Sequence, residues 1–126
     1  MIWMKYMMMT FGDESAWDWD AWPKERVETH FKEMSAFLKE IEESGELVSG
    51  VGLTPPSHAA TVEIRDGRPV ASDGPYAEAK EVLAGFIIVE AETRDRAVEL
   101  AGRFSGLVEQ RVELRPVDED AGSEFE

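Results

Sequence analysis

From Met4 to Phe11 the chain is apolar at nearly every position. Met4, Tyr6 and Met8 fall on one side of an extended segment and Met7, Met9 and Phe11 on the other, with Lys5 carrying the only charge. A strand apolar on both faces belongs in the interior of a sheet. Gly12-Asp13-Glu14-Ser15 predicts a turn, and residues 16–22 a loop holding Trp17, Trp19 and Trp22. Those rings are expected to pack as a flap over a core edge rather than to form an aromatic binding box. Pro23 suits the first turn of a helix, and Val27, Phe31, Met34, Leu38 and Ile41 follow at the spacing of an amphipathic helix. Glu28 stands ahead of Lys32 for an i,i+4 ion pair, and Gly45 is placed to end the helix in the left-handed conformation.

A second strand is expected over residues 47–53, loosened by Gly50 and Gly52 and stopped by Thr54-Pro55-Pro56-Ser57. Residues 61–65 alternate, Asp66-Gly67 is the preferred type I′ dipeptide, and residues 68–72 return, with Pro69 tolerable only at an edge, so a β-hairpin is predicted. Asp73-Gly74-Pro75-Tyr76 forms a turn, and residues 77–82 are expected to make a short helical segment before Gly85. Phe86-Ile87-Ile88-Val89 is apolar throughout and predicts another strand covered on both faces. Thr93 is the expected N-cap of a second helix that buries Ala97, Leu100, Ala101 and Phe104 and closes at Gly106. The last strand, residues 109–117, turns Val112 and Leu114 inward. One domain over residues 1–117 is expected, followed by an acidic, disordered tail over residues 118–126.

Strand, helix, strand, hairpin, strand, helix, strand is the βαββαβ order of an α+β, ferredoxin-like sheet with an inserted β-hairpin. In that topology the first and third main strands are central, where the two doubly apolar segments fall. Both helices would cover one face and leave apolar area on the other, which predicts a homodimer packed in the manner of a dimeric α/β barrel. The alternative is that the hairpin and the tryptophan loop fold back over that face.

A balance of 27 acidic against 13 basic residues gives a formal charge of −14. Such a charge repels phosphate backbones and anionic lipid, so no direct nucleic-acid partner is expected. The apolar runs fall far short of the roughly 18 to 20 residues that cross a bilayer, so no membrane span is expected. Residues 1–10 lack a basic n-region and a small-residue cleavage site and read poorly as a signal peptide; with no cysteine in the chain, a cytoplasmic location is expected. Two isolated histidines and no cysteine argue against zinc, and no metal or other cofactor is expected.

Candidate chemistry gathers at the Asp-Gly-Pro turn. Gly74 and Pro75 hold the Asp73 carboxylate in a defined direction, where it either acts as a general acid or base or caps the amides of its own turn. Tyr76 can donate a hydrogen bond into the same cleft, and Glu78 with Lys80 either orients a polar ligand or forms a solvated ion pair. His30 lies beside the apolar stripe of the first helix, facing a cleft or satisfied by a neighbouring acid. His58 lies in the proline-rich loop and would pair with Asp73 if that loop folded toward it.

Met4-Lys5-Tyr6 leading to Phe11-Gly12-Asp13-Glu14, the run Gly50-Val51-Gly52-Leu53-Thr54-Pro55-Pro56, and Asp73-Gly74-Pro75-Tyr76-Ala77-Glu78-Ala79-Lys80-Glu81 with Gly85-Phe86 together resemble YCII-related proteins of the DGPF type. Tyr76, Ala79 and Ala84 are mild departures from the usual pattern. The resemblance implies a dimeric ferredoxin-like domain of bacterial origin, often encoded beside or fused to extracytoplasmic-function sigma factors. It also implies that some relatives are small enzymes with a His and Asp pair in a cleft, a dehydrochlorinase among them. Met34 holds the place of that family's histidine here, and His30 lies one turn earlier. Three functions stand as expectations: a binding or accessory domain for a small polar metabolite, with a cleft near Asp73, Tyr76 and the first helix; a cofactor-free lyase or isomerase in which Asp73, with His58 or His30, moves a proton; and a protein-interaction partner of sigma-factor-dependent transcription.

Overall fold

A computed structural model of the chain describes residues 3–75 and 81–120. Six strands and two α-helices succeed one another: β1 Met4–Gly12, α1 Lys24–Glu43, β2 Leu47–Gly52, β3 Ala60–Arg65, β4 Arg68–Asp73, β5 Val82–Ala91, α2 Arg94–Val108 and β6 Val112–Pro116. Four strands make an antiparallel sheet in the order β2-β5-β1-β6, compatible with a ferredoxin-like arrangement, and β3 and β4 pair only with each other. β1 and β5, the two doubly apolar segments, are the central strands.

Burial separates the two faces of the sheet. Tyr6 and Met8 of β1 and Ile87, Val89 and Ala91 of β5 join Phe37 and Ile41 of α1 and Ala97, Leu100, Ala101 and Phe104 of α2 in one core. Met7, paired with Ile88, and Met9, paired with Phe86, point to the opposite face, where neither helix lies. On that face Met9 is buried, with 8% of its surface exposed, while Met7, Phe86 and Ile88 are half-buried. Trp19 packs on Trp22, His30 and Phe31, with ring centroids 5.1 to 5.3 Å apart, and the Trp17 indole donates to the Leu53 carbonyl at 2.8 Å. The residues of the β3–β4 pair are exposed apart from half-buried Thr61.

Local chemistry accounts for the ends of the elements. Gly45, at φ +83°, closes α1: its amide donates to Glu42 and the Glu46 amide to Ile41, which satisfies the last carbonyls of the helix. Asp66 and Gly67 both adopt positive φ, as a type I′ turn requires. The Thr93 hydroxyl accepts from the Arg96 amide at 3.0 Å and starts α2.

Several expectations change. α2 runs past Gly106 to Val108 and ends on Glu109 at φ +54°, with the Glu109 amide bonded to the Ser105 carbonyl. The last strand therefore starts only at Val112, because Glu109 and Gln110 are spent on the helix end. Val82 opens β5 rather than closing a short helix; the rest of that expected segment, residues 77–80, lies outside the described residues. Glu28 pairs with Lys24, at 3.9 Å, and not with Lys32. The acidic tail begins in contact with the body, for the Val117 amide donates to the Lys5 carbonyl and Lys5 pairs with Glu119 at 3.1 Å. Residues 121–126 lie outside the described residues.

Candidate functional site

The Asp-Gly-Pro turn is built by the base of the β3–β4 pair. Asp73 stands opposite Ala60 in the ladder, the Gly74 amide donates to the Ala59 carbonyl at 2.8 Å, and the Thr61 hydroxyl donates to the Gly74 carbonyl at 2.9 Å. Gly74 sits at φ +95°, a conformation open to glycine and strained for other residues. The Gly74 amide is thus secured by the Ala59 carbonyl, and the Gly74 carbonyl by Thr61. No hydrogen bond reaches the Asp73 carboxylate from the described residues, and the side chain is exposed. His58, in the short turn Pro56–His58, is exposed two positions before Ala60, on the same side of the base. Tyr76, Glu78 and Lys80 lie outside the described residues.

A cleft of about 250 Å³ opens beside this turn, lined by Gly12, Asp13, Glu14, Pro56, Ser57, Gly74, Pro75 and Val82. Across Gly12 and Asp13 it meets a second depression of about 540 Å³, whose polar lining includes Ser15, Glu81, Arg111 and Glu113. The Ser15 hydroxyl, and after it the Ser15 amide, holds the Asp13 carboxyl below the usual carboxylate range. These walls carry exposed charges, whose hydrating water any ligand must displace.

A different groove runs between α1 and the helix-covered face of the sheet. Its volume is about 440 Å³, and Phe31, Met34 and Leu38 of α1 face Gly50 and Gly52 of β2 and Ala84, Gly85 and Ile87 of β5 across it. The groove exists because α1 rests on the sheet through its C-terminal half. Phe37 and Ile41 are buried, whereas Phe31 is 53% exposed. It also exists because the facing strands carry glycines. A Cβ on Gly52 would meet nothing within 4 Å, while one on Gly85 would strike the Val51 carbonyl at 2.8 Å, so Gly85 allows the close pairing of β2 and β5. Thr10 supplies the polar atom at the rear wall, its hydroxyl donating to the Gly85 carbonyl at 3.3 Å.

His30 does not enter this groove. Its Nδ1–H donates to the Leu107 carbonyl at 3.1 Å, in the last turn of α2, and its ring is enclosed by Trp19, Trp22 and Phe31. Its partner is a main-chain carbonyl and not an acid, and it fastens the two helices together. The three candidate acid–base residues are therefore divided: His58 and Asp73 share one end of the hairpin, and His30 belongs to the helical layer.

Two features escape a reading of the sequence. The groove depends on glycines that in sequence signal only weakened strands. Glu46 is the other: it is buried and held by Arg96 through two hydrogen bonds of 2.8 and 2.9 Å, with a third from the Ser44 hydroxyl at 2.8 Å. Hydrogen bonding from Arg96 holds the Glu46 carboxyl below its ordinary range, against the opposing effect of burial, and raises the guanidinium in turn. Among the described residues no group of three or more His, Asp or Glu side chains is arranged to hold a metal ion, and no described helix is long and apolar enough to cross a membrane.

Two helices packed on one face of an antiparallel sheet, a separate two-stranded sheet, and the Asp-Gly-Pro turn at its base define an α+β domain. Residues 4–119 match the family described as YCII-related domain, and the chain belongs to that family. It is also 35% identical, over 102 residues that span 81% of each chain, to an uncharacterised protein, R00369, of Rhizobium meliloti (strain 1021).

Proposed function

We propose that the protein is a homodimeric small-molecule-binding domain whose ligand seats in the groove beneath α1. The observation that carries this is the groove itself: about 440 Å³ of space between helix and sheet, with apolar walls and a floor of glycine. That volume lies within the roughly 300 to 1,000 Å³ typical of ligand pockets, as does the 540 Å³ depression beyond the turn, and it is the apolar lining that favours the groove. The walls favour a ligand with an aromatic or aliphatic body rather than the wholly polar metabolite suggested by the turn. Its polar group would meet Thr10 or the rim. Asp73, Gly74 and Pro75 shape the turn, and Asp73 with His58 is the pair that would carry any proton transfer.

The test uses 8-anilinonaphthalene-1-sulfonate as the probe, with binding followed by fluorescence in wild type and in Gly52→Leu. Leucine at position 52 has free space to enter and would fill the groove. Saturable binding at one site per chain, weakened at least tenfold by the substitution, is expected. Undiminished binding in Gly52→Leu would move the ligand elsewhere.

A further inference from the structure

The groove beneath α1 restricts the chemistry of what can fill it. Among the described residues no ionisable side chain lines it. A carboxylate, phosphate or ammonium group seated there would lose its water and gain no partner, a cost that apolar contact does not offset. The net charge of −14 adds a general repulsion against anions.

Its shape follows from what the strands leave out. Gly50, Gly52 and Gly85 carry no side chain, so the wall made by β2 and β5 is bare peptide there, and the two strands are paired along it. A Cβ at position 52 would have open space before it. Phe31 and Met34 of α1 and Phe104 of α2 complete the lining. A flat peptide wall with phenyl rings and a thioether around it suits a planar aromatic body, which gains ring–ring and sulfur–ring contacts that an aliphatic one lacks.

Thr10 supplies the one polar side chain of this lining among the described residues. It is 6% exposed, and its hydroxyl proton is committed to the Gly85 carbonyl at 3.3 Å. A hydroxyl that has given its proton away has only lone pairs to offer. Toward the groove Thr10 therefore accepts, and the group that matches it is an N–H or an O–H.

From this we infer that the groove takes an uncharged, planar aromatic molecule bearing an N–H or O–H donor, laid against the glycine wall with that donor on the Thr10 hydroxyl. The inference rests on the groove proposed above as the binding site and names the class of ligand that it selects.

The experiment is isothermal titration of the full chain with three probes of one ring system: indole, 1-methylindole, which lacks the donor, and indole-3-carboxylate, which adds a charge. Indole is expected to bind at one site per chain, with 1-methylindole and indole-3-carboxylate each weaker by about tenfold or more, the scale of a buried polar group left unpaired. Thr10→Val, which keeps the branched shape and removes the acceptor, should bring indole down to the level of 1-methylindole and leave 1-methylindole unchanged. Thr10→Ser should restore the difference, and circular dichroism checks the fold of each variant. Equal affinities of wild type for indole and 1-methylindole, or tighter binding of the carboxylate, would overturn the ligand class. Failure to bind indole while 8-anilinonaphthalene-1-sulfonate still binds and is weakened by Gly52→Leu would overturn the class and leave the groove in place. Binding of indole and of that dye that both survive Gly52→Leu would overturn the groove itself.

Discussion

Glu46 shows how a single residue can tie the domain together. Its carbonyl accepts from the Glu90 amide at 2.7 Å, while its carboxylate joins the end of α1, through Ser44, to the start of α2, through Arg96. Because the carboxyl is held below its ordinary range by Arg96, its contribution to stability is complete above the unfolded glutamate pKa of about 4.3. It is lost as the pH falls through the lower value of the folded state. Glu46→Gln, which keeps the shape and removes the charge, should cost about 2 kcal/mol at neutral pH, the scale of hydrogen bonds to charged groups. Urea unfolding of wild type and variant at a series of pH values is the check. The two curves should converge in acid, and a gap that persists there would assign the loss to packing instead. Gly85 makes a second residue-level case. A methyl group there meets the Val51 carbonyl at 2.8 Å, so Gly85→Ala should destabilise by about 1 to 3 kcal/mol, as overpacking does.

At the level of elements, α1 separates two kinds of apolar residue. Phe37 is buried, and Phe37→Ala should cost about 3 to 5 kcal/mol in denaturant unfolding, whereas Phe31→Ala, at a position 53% exposed, should cost under about 1 kcal/mol. Equal costs would mean that α1 lies flat on the sheet and that the groove is closed. The same helix marks the limit of what periodicity can reveal. Spacing places Val27, Phe31, Met34, Leu38 and Ile41 on one stripe, yet it does not say that only the C-terminal half of that stripe meets the sheet. Where a local signal is sufficient, the elements are legible. Doubly apolar runs place β1 and β5 at the centre, Asp66-Gly67 makes its type I′ turn, and Thr93 caps α2. Where a helix end depends on residues further along the chain, a local signal misleads, because Gly106 fits inside a helix that Glu109 closes. The Asp-Gly-Pro turn can be read as rigid, but the groove cannot be read at all, since Gly50, Gly52 and Gly85 come together only through the pairing of β2 with β5.

The whole molecule is governed by its charge and by the face its helices leave open. At a net charge of −14, self-repulsion opposes both folding and association. Raising ionic strength from 0.01 to 0.15 M shortens the screening length from about 30 to 8 Å. The thermal midpoint should therefore rise with sodium chloride over that range, as scanning calorimetry can record, and a flat response would show the acids to be locally neutralised. The central claim, that a ligand enters between α1 and the sheet, is tested most directly by amide chemical shifts during titration with 8-anilinonaphthalene-1-sulfonate. Shifts concentrated at residues 31–38, 47–52 and 84–87 are predicted; shifts confined to residues 73–75 and 12–14, with α1 unmoved, would contradict it.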